Sequence, residues 1–170
     1  MKNHVKRNYL EIKSIKELVE VKKPLETLFI EKVVPSNFKL NKFFYKEIGK
    51  KHSWIDRLSW SDNNWINYLN TKGVLTYILK NKEELVGFFE QNIYIEKNDC
   101  EIAYFGILEE YIGKKCGGYL LSDAIKRLFE EGISRVWLHT CSLDHENAIK
   151  NYLARGMKVF KSEKINVDFN

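Results

Sequence analysis

The chain has 170 residues, the size of one folding domain, and its 44% hydrophobic and 30% charged residues are globular values that exclude a disordered chain. Its net charge of +5, from 28 Lys and Arg against 23 Asp and Glu, suits a polyanionic ligand and also nucleic acid, while the plainer reading is a lysine-rich solvated surface. The N-terminal segment has no continuous apolar region and no stretch nears the ~20 apolar residues of a membrane span, so cytoplasm is the default; the three cysteines lack paired short spacings, so reduced thiols are expected, with no disulfide framework and no metal.

In chain order, Val5 to Ile12 reads as an opening strand and Ser14 to Val19 as a short turn of helix. Leu25 to Val34, rich in β-branched and aromatic residues, reads as a second strand broken by Pro35-Ser36-Asn37. Phe38 to Ile48 predicts a helix whose apolar stripe is Leu40, Phe43, Phe44 and Ile48. Ser61-Asp62 caps a second helix through Leu69, with Trp65, Ile66 and Leu69 inward and Gly73 as the stop. Val74 to Leu79 and Leu85 to Ile95 form a hairpin around Lys80 to Glu83. The next strand is EIAYFGI (Glu101 to Ile107), followed by YIGKKCGG (Tyr111 to Gly118), a turn with three glycines and two lysines. A helix opens at once, with Leu120, Leu121, Ala124, Ile125, Leu128 and Phe129 as one stripe at helical period. Arg135 to Ser142 is a strand, Asp144 the expected N-cap of a last helix, and a final strand follows Gly156. A crossover through a helix makes the strands on either side parallel, whereas the hairpins are antiparallel. The fold class is therefore a mixed α/β sheet with helices on both faces.

A glycine-rich loop that opens a helix leaves backbone N–H groups free at the positive end of the helix dipole, ready for phosphate oxygens. Here the turn is joined by a second motif, ENAIKNYLARGMKVF, on a helix running into a strand. Together they resemble the coenzyme A binding core of the GNAT acyltransferases. That family's turn, Gln/Arg-x-x-Gly-x-Gly/Ala, holds the pyrophosphate of acetyl-CoA, and aligns with Ile112, Gly113, Lys114, Lys115, Cys116 and Gly117. Ile112 replaces Gln/Arg, and Lys115 replaces the first motif glycine. The later motif, Ala-Ile-x-x-Tyr-x-x-x-Gly-Phe, aligns with Ala148, Ile149, Tyr152, Gly156 and Met157, with Met for Phe. The likeness covers about residues 72 to 163, leaving 1 to 71 as the acceptor side of a single domain over 1 to 170. WIDRLSWSDNNW and VWLHTCSLDHENA are also similar to segments of a bacterial subgroup of the family.

The resemblance implies a mainly antiparallel sheet with one splayed parallel strand pair. It implies an acyl-CoA-dependent N-acyltransferase that moves acetyl from acetyl-CoA directly to the primary amine of a small molecule or peptide. No nucleic acid or membrane partner follows from it, and the molecule would be a monomer or homodimer. Ile112 to Gly118 would hold the pyrophosphate, with Lys114 and Lys115 adding charge. Backbone groups of Phe105, Gly106 and Ile107 would bind pantetheine in the gap to the strand Arg135 to Ser142. An N–H near Phe105 or Gly106 would polarise the thioester carbonyl. His145 stands where many members have an Asn that contacts pantetheine, so that role passes to Asn147. Tyr152 matches the general acid, since a phenol stays protonated at neutral pH and can protonate a leaving thiolate.

Glu101 matches the base of one family branch and, by strand alternation, shares a face with Ala103 and Phe105; His139 and Tyr104 are alternatives. Cys116 and Cys141 invite a covalent reading but have no evident activating base. Trp54, Trp60 and Trp65, with Asp56, Arg57, Asp62 and Asn63, would either wall an amine pocket or pack in the core. A protein of this fold that binds acyl-CoA without turnover, as a regulatory domain, is the alternative function.

Overall fold

A computed structural model describes residues 3–167 of the chain. Its strands are β1 (Asn3–Ile12), β2 (Leu28–Lys32), β3 (Val74–Asn81), β4 (Glu84–Tyr94), β5 (Asp99–Ile107), β6 (Arg135–Cys141) and β7 (Lys158–Val167). Its helices are α1 (Phe38–Gly49), α2 (Asp62–Leu69), α3 (Cys116–Glu130) and α4 (Glu146–Ala154). The strands form one sheet in the order β2-β3-β4-β5-β6-β1-β7. β5 and β6 are parallel, joined by the α3 crossover, and the other pairs are antiparallel. The opening strand is therefore interior to the sheet, held between β6 and β7.

Helices cover both faces. The stripe of α3 is buried against one face with Leu10, Ile12, Leu79, Phe89, Val136 and Leu138, and α4 adds Tyr152 to that core. Phe129, at the end of the stripe, is only partly buried. On the other face α1 packs Phe44 and Ile48 against Ile78, Phe88 and Leu108. Close approach on this side needs a glycine: a Cβ on Gly106 would stand 2.8 Å from the Ile48 side chain.

Three details differ from the sequence expectation. The strand expected over Leu25 to Val34 is shorter, because its first residues turn, with the Leu28 N–H on the Leu25 carbonyl at 3.1 Å. The buried face of α1 is Asn41, Phe44, Tyr45 and Ile48, a clean i, i+3, i+4, i+7 set, while Phe43 is 41% exposed. Asn41 belongs inside because its amide bonds Thr76 Oγ1 at 2.8 Å and Glu90 Oε2 at 3.0 Å. On α2, Trp65 and Leu69 are buried as expected and Ile66 is 37% exposed. Ser61 caps this helix, accepting from the Asn64 N–H while Asn64 Oδ1 accepts from the Ser61 N–H.

Candidate active site

The parallel pair is joined only at its base. β5 and β6 are in register at Asp99 with Arg135, Cys100 with Val136 and Glu101 with Trp137. Beyond that point β5 continues to Ile107 along β4, and β6 continues to Cys141 along β1. Each strand keeps its outer neighbour and gives up the inner one, so the sheet opens between them. A β-bulge accompanies the parting: Ile102 lies opposite Gln91 and Tyr104 opposite Glu90, leaving Ala103 as an extra residue on β5. The opening belongs to a cleft of about 450 Å³ whose walls include Phe105, Ile107, Trp54, His139 and Tyr152.

The start of α3 closes one end of the cleft. No side chain caps this helix, and the N–H groups of its first turn have no intrahelical acceptor. Gly113 has a φ of +81° and Lys115 a φ of +63°, so the lysine holds the left-handed conformation that a glycine would supply at its position. The replaced motif glycine thus leaves the turn's backbone path intact. Of the expected coenzyme residues, Phe105, Gly106, Ile107, Ile112, Gly113, Lys115, Gly117, Gly118 and Asn147 line the cleft. Lys114 and Cys116 do not. The Lys114 ammonium lies 5.0 Å from the Tyr111 ring centroid, and Cys116 is buried in the core beneath the turn.

Tyr152 is buried on α4 with its ring edge-on to Phe105 at 6.3 Å, and it lines the cleft. Burial, reinforced by Asp144, pushes its phenol above the usual range, so it stays protonated. Asp144 is not the N-cap of α4; His145 is, through Nδ1, which accepts from the Asn147 N–H at 3.1 Å. The Asp144 carboxylate instead accepts from Thr140 Oγ1 at 2.6 Å and the Cys141 N–H at 2.8 Å. Burial raises the thiols of both Cys116 and Cys141, which keeps them in the weakly nucleophilic form.

The bulge at Ala103 changes the position of Glu101. Cys100, Ile102 and Phe105 join the α3 core while Tyr104 packs on the α1 side, so Glu101 shares the face of Tyr104 and not that of Phe105. Glu101 lies outside the cleft lining. Its carboxylate accepts from the Tyr94 hydroxyl at 3.0 Å and stands 4.0 Å from His139 Nε2. His139 does line the cleft. Burial, then the Arg7 charge, holds its imidazole below the ordinary histidine value, while burial raises the Glu101 carboxyl.

The loop between α1 and α2 brings Trp54 and Asp56 to the cleft. It is anchored next door by Arg57, whose guanidinium donates to both Glu90 oxygens, at 2.9 and 3.2 Å. The rings of Trp60, Trp65, Tyr68 and Tyr104 surround that guanidinium at 4.1 to 5.3 Å. Trp60 and Trp65 therefore form the anchor, and Trp54 alone of the three meets the cleft.

A sequence profile described as the acetyltransferase (GNAT) family matches residues 28–157. The chain belongs to the acetyltransferase (GNAT) family. Solved structures agree in fold. A GCN5-related N-acetyltransferase from Sphaerobacter thermophilus is 15% identical at a TM-score of 0.71, over 97% of this chain and 53% of that one. One from Kribbella flavida is 13% identical at 0.66, over 95% and 57%. This chain thus spans little more than half the length of those two proteins. The aminoglycoside acetyltransferase meta-AAC0020, from an uncultured soil metagenomic sample, is 15% identical over 85% of this chain and 95% of its own, at 0.63 in complex with trehalose and 0.60 with sisomicin. No curated protein matches the chain in sequence.

Within this GNAT cleft, several lining residues were not singled out from the sequence: Arg7, His52 and Asn151. Asn151 lies on α4 with its amide 3.6 Å from where a Gly117 Cβ would be. It precedes Tyr152 by one residue and falls off the apolar stripe of α4, so helical period gives it no signal. Among the described residues, no helix is long and apolar enough to cross a membrane.

Proposed function

We propose that the protein transfers an acetyl group from acetyl-CoA directly to a primary amine. One observation carries this reading: the parallel strands part after Glu101 and Trp137, beside an uncapped helix start. The free N–H groups at Cys116, Gly117 and Gly118 suit a pyrophosphate, and Lys115 adds a cation beside them. Backbone groups of Phe105, Gly106 and Ile107, released from β6, suit the amides of a pantetheine arm. The cosubstrate supplies a thioester carbonyl, and an N–H near the bulge would polarise it.

Tyr152 then holds a proton for the departing sulfur. A raised phenol is a weak acid, but the burial that raises it also raises a thiolate in the same cleft, so the transfer stays matched. His139, neutral at working pH, takes the proton that the attacking ammonium must lose. Glu101, whose carboxylate stands 4.0 Å from His139 Nε2, acts through that ring as a positioning residue. Cys116 and Cys141 take no covalent part, since both thiols are raised.

The likeness in fold to an aminoglycoside acetyltransferase makes aminoglycosides one amine class to include in the test. Thiol release from acetyl-CoA, measured against a panel of amines, should show amine-dependent turnover. Acetyl-CoA binding without turnover for any amine would instead favour a regulatory acyl-CoA sensor.

A further inference from the structure

The acceptor end of the cleft carries a cation that the transfer chemistry leaves unused. Arg7 lies on β1 beside β6 and lines the cleft together with His139 and Cys141. Across the strands its register partners are Cys141 and Glu163. Glu163 is engaged elsewhere, accepting from the Tyr9 hydroxyl at 2.6 Å and pairing with Lys161 at 3.1 Å. Asp144, the next carboxylate along the wall, is held at Oδ2 by Thr140 and the Cys141 N–H and at Oδ1 by the Trp54 indole N–H at 3.4 Å. Among the described residues, then, no carboxylate lies within ion-pair distance of Arg7, although its charge reaches Glu163 across the strands, and its buried Nε has no hydrogen-bond partner. A guanidinium that lines the cleft and has no carboxylate of its own suits a ligand carboxylate, whose two oxygens match its fork in two parallel bonds.

A second charge completes the pattern. Asp56 lines the same cleft, carried there by the Arg57 anchor, and forms no ion pair among the described residues. Beyond its burial, the His139 ring feels Arg7, which disfavours its proton, and then Asp144 and Asp56, which favour it, so the imidazole stands within electrostatic reach of both Arg7 and Asp56. Trp54, Leu143, Ile165 and Val167 supply apolar wall. We propose that the acceptor is a zwitterionic amine of the amino-acid class, its carboxylate held by Arg7 and its amine between Asp56 and His139. This rests on the acetyl-transfer reading and narrows it. A polycationic amine without a carboxylate meets the unpaired Arg7 charge as a repulsion and is selected against.

The test uses the full chain, saturating acetyl-CoA, and thiol release with free L-amino acids, each compared with its own carboxamide. The free acids should exceed their amides in kcat/KM by about 10-fold or more, the size expected when a cleft charge loses its partner. Arg7→Gln should bring that ratio to within about 3-fold, through KM, and Arg7→Glu should turn the preference toward amides and diamines. The melting shift caused by acetyl-CoA should be unchanged in both variants. Amides used as well as acids by the wild-type chain, which needs no variant to fold, overturn the proposal. So does a ratio that survives Arg7→Gln, and so does an acetyl-CoA melting shift with no turnover of any amino acid. Absence of the shift itself would overturn the acetyl-CoA reading beneath it.

Discussion

Replacing Glu90 with Gln removes one charge from a pair that water hardly reaches, the Arg57 and Glu90 side chains retaining 7% and 1% of their exposure. The carboxylate receives two bonds from the guanidinium and a third from Asn41. A Gln side chain keeps the size, but its NH2 group then faces donors, and Arg57 cannot shed its proton. Breaking a buried pair from one side costs about 3–5 kcal/mol. For a chain of this size each kcal/mol moves the melting point by about 2–4 °C, so Glu90→Gln should melt about 6–20 °C below wild type. Replacing both partners at once, Arg57→Met with Glu90→Leu, should recover part of that loss, because no uncompensated charge remains. Circular-dichroism melts without ligand read these differences. A Glu90→Gln melting point within about 2 °C of wild type would refute the reasoning, since it would mean the pair carries almost no stability. The same variant should raise acceptor KM, because the anchor holds the loop that carries Trp54 and Asp56.

Tyr152→Phe should lower kcat by about 10²- to 10⁴-fold while the acetyl-CoA melting shift stays, and an unchanged kcat would return Tyr152 to a packing role. Because the His139 imidazole is held below the ordinary histidine value, it is the neutral base above that lowered pKa, and turnover should fall only at more acid pH as it takes a proton. His139→Gln should abolish this acid limb, slow the reaction near neutrality and regain rate at high pH as free amine appears; an acid limb that persists unchanged would assign the proton to another group. Glu101→Gln removes a negative neighbour of the imidazole and should move the limb to lower pH, and an unmoved limb would separate Glu101 from the site. Lys115→Gly relieves a left-handed residue and should raise the melting point by about 2–4 °C, for a gain near ~1 kcal/mol after the extra unfolded-state entropy of glycine. Its acetyl-CoA Kd should change by less than about 10-fold, since the backbone N–H donors remain, and a larger loss would give the lysine side chain the binding role.

What the sequence made legible follows from how local the determining physics is. The α3 stripe could be read directly, because Leu120, Leu121, Ala124, Ile125 and Leu128 are all core residues at helical spacing. The stripe of α1 was misjudged because a polar residue, Asn41, sits on its buried face, bonded to partners in β3 and β4 that no helical period reveals. Strand alternation gave Glu101 the wrong face, since it assumes an unbroken period of two and the bulge at Ala103 adds a residue. Asp144 and His145 are adjacent potential caps, and the choice depends on Thr140 and the Cys141 N–H, which take the aspartate. The importance of Arg7 was hidden for a related reason. Its strand reads as an opening strand, but only long-range pairing sets it between β6 and β7, where its side chain meets the cleft. The turn at Ile112 to Gly118 was legible because its glycines and its junction with an amphipathic helix are contiguous in sequence.

The most direct test of the central claim is the melting temperature of the wild-type chain with and without acetyl-CoA. A ligand that binds only the folded state stabilises it by RT ln(1 + [L]/Kd), about 2.7 kcal/mol at one hundred times Kd. At about 2–4 °C per kcal/mol, the melting point should rise by about 5–11 °C at that concentration, and Gly117→Trp, which fills the mouth of the helix N-terminus, should cancel the rise. A wild-type melting point that does not move at millimolar acetyl-CoA would contradict the account.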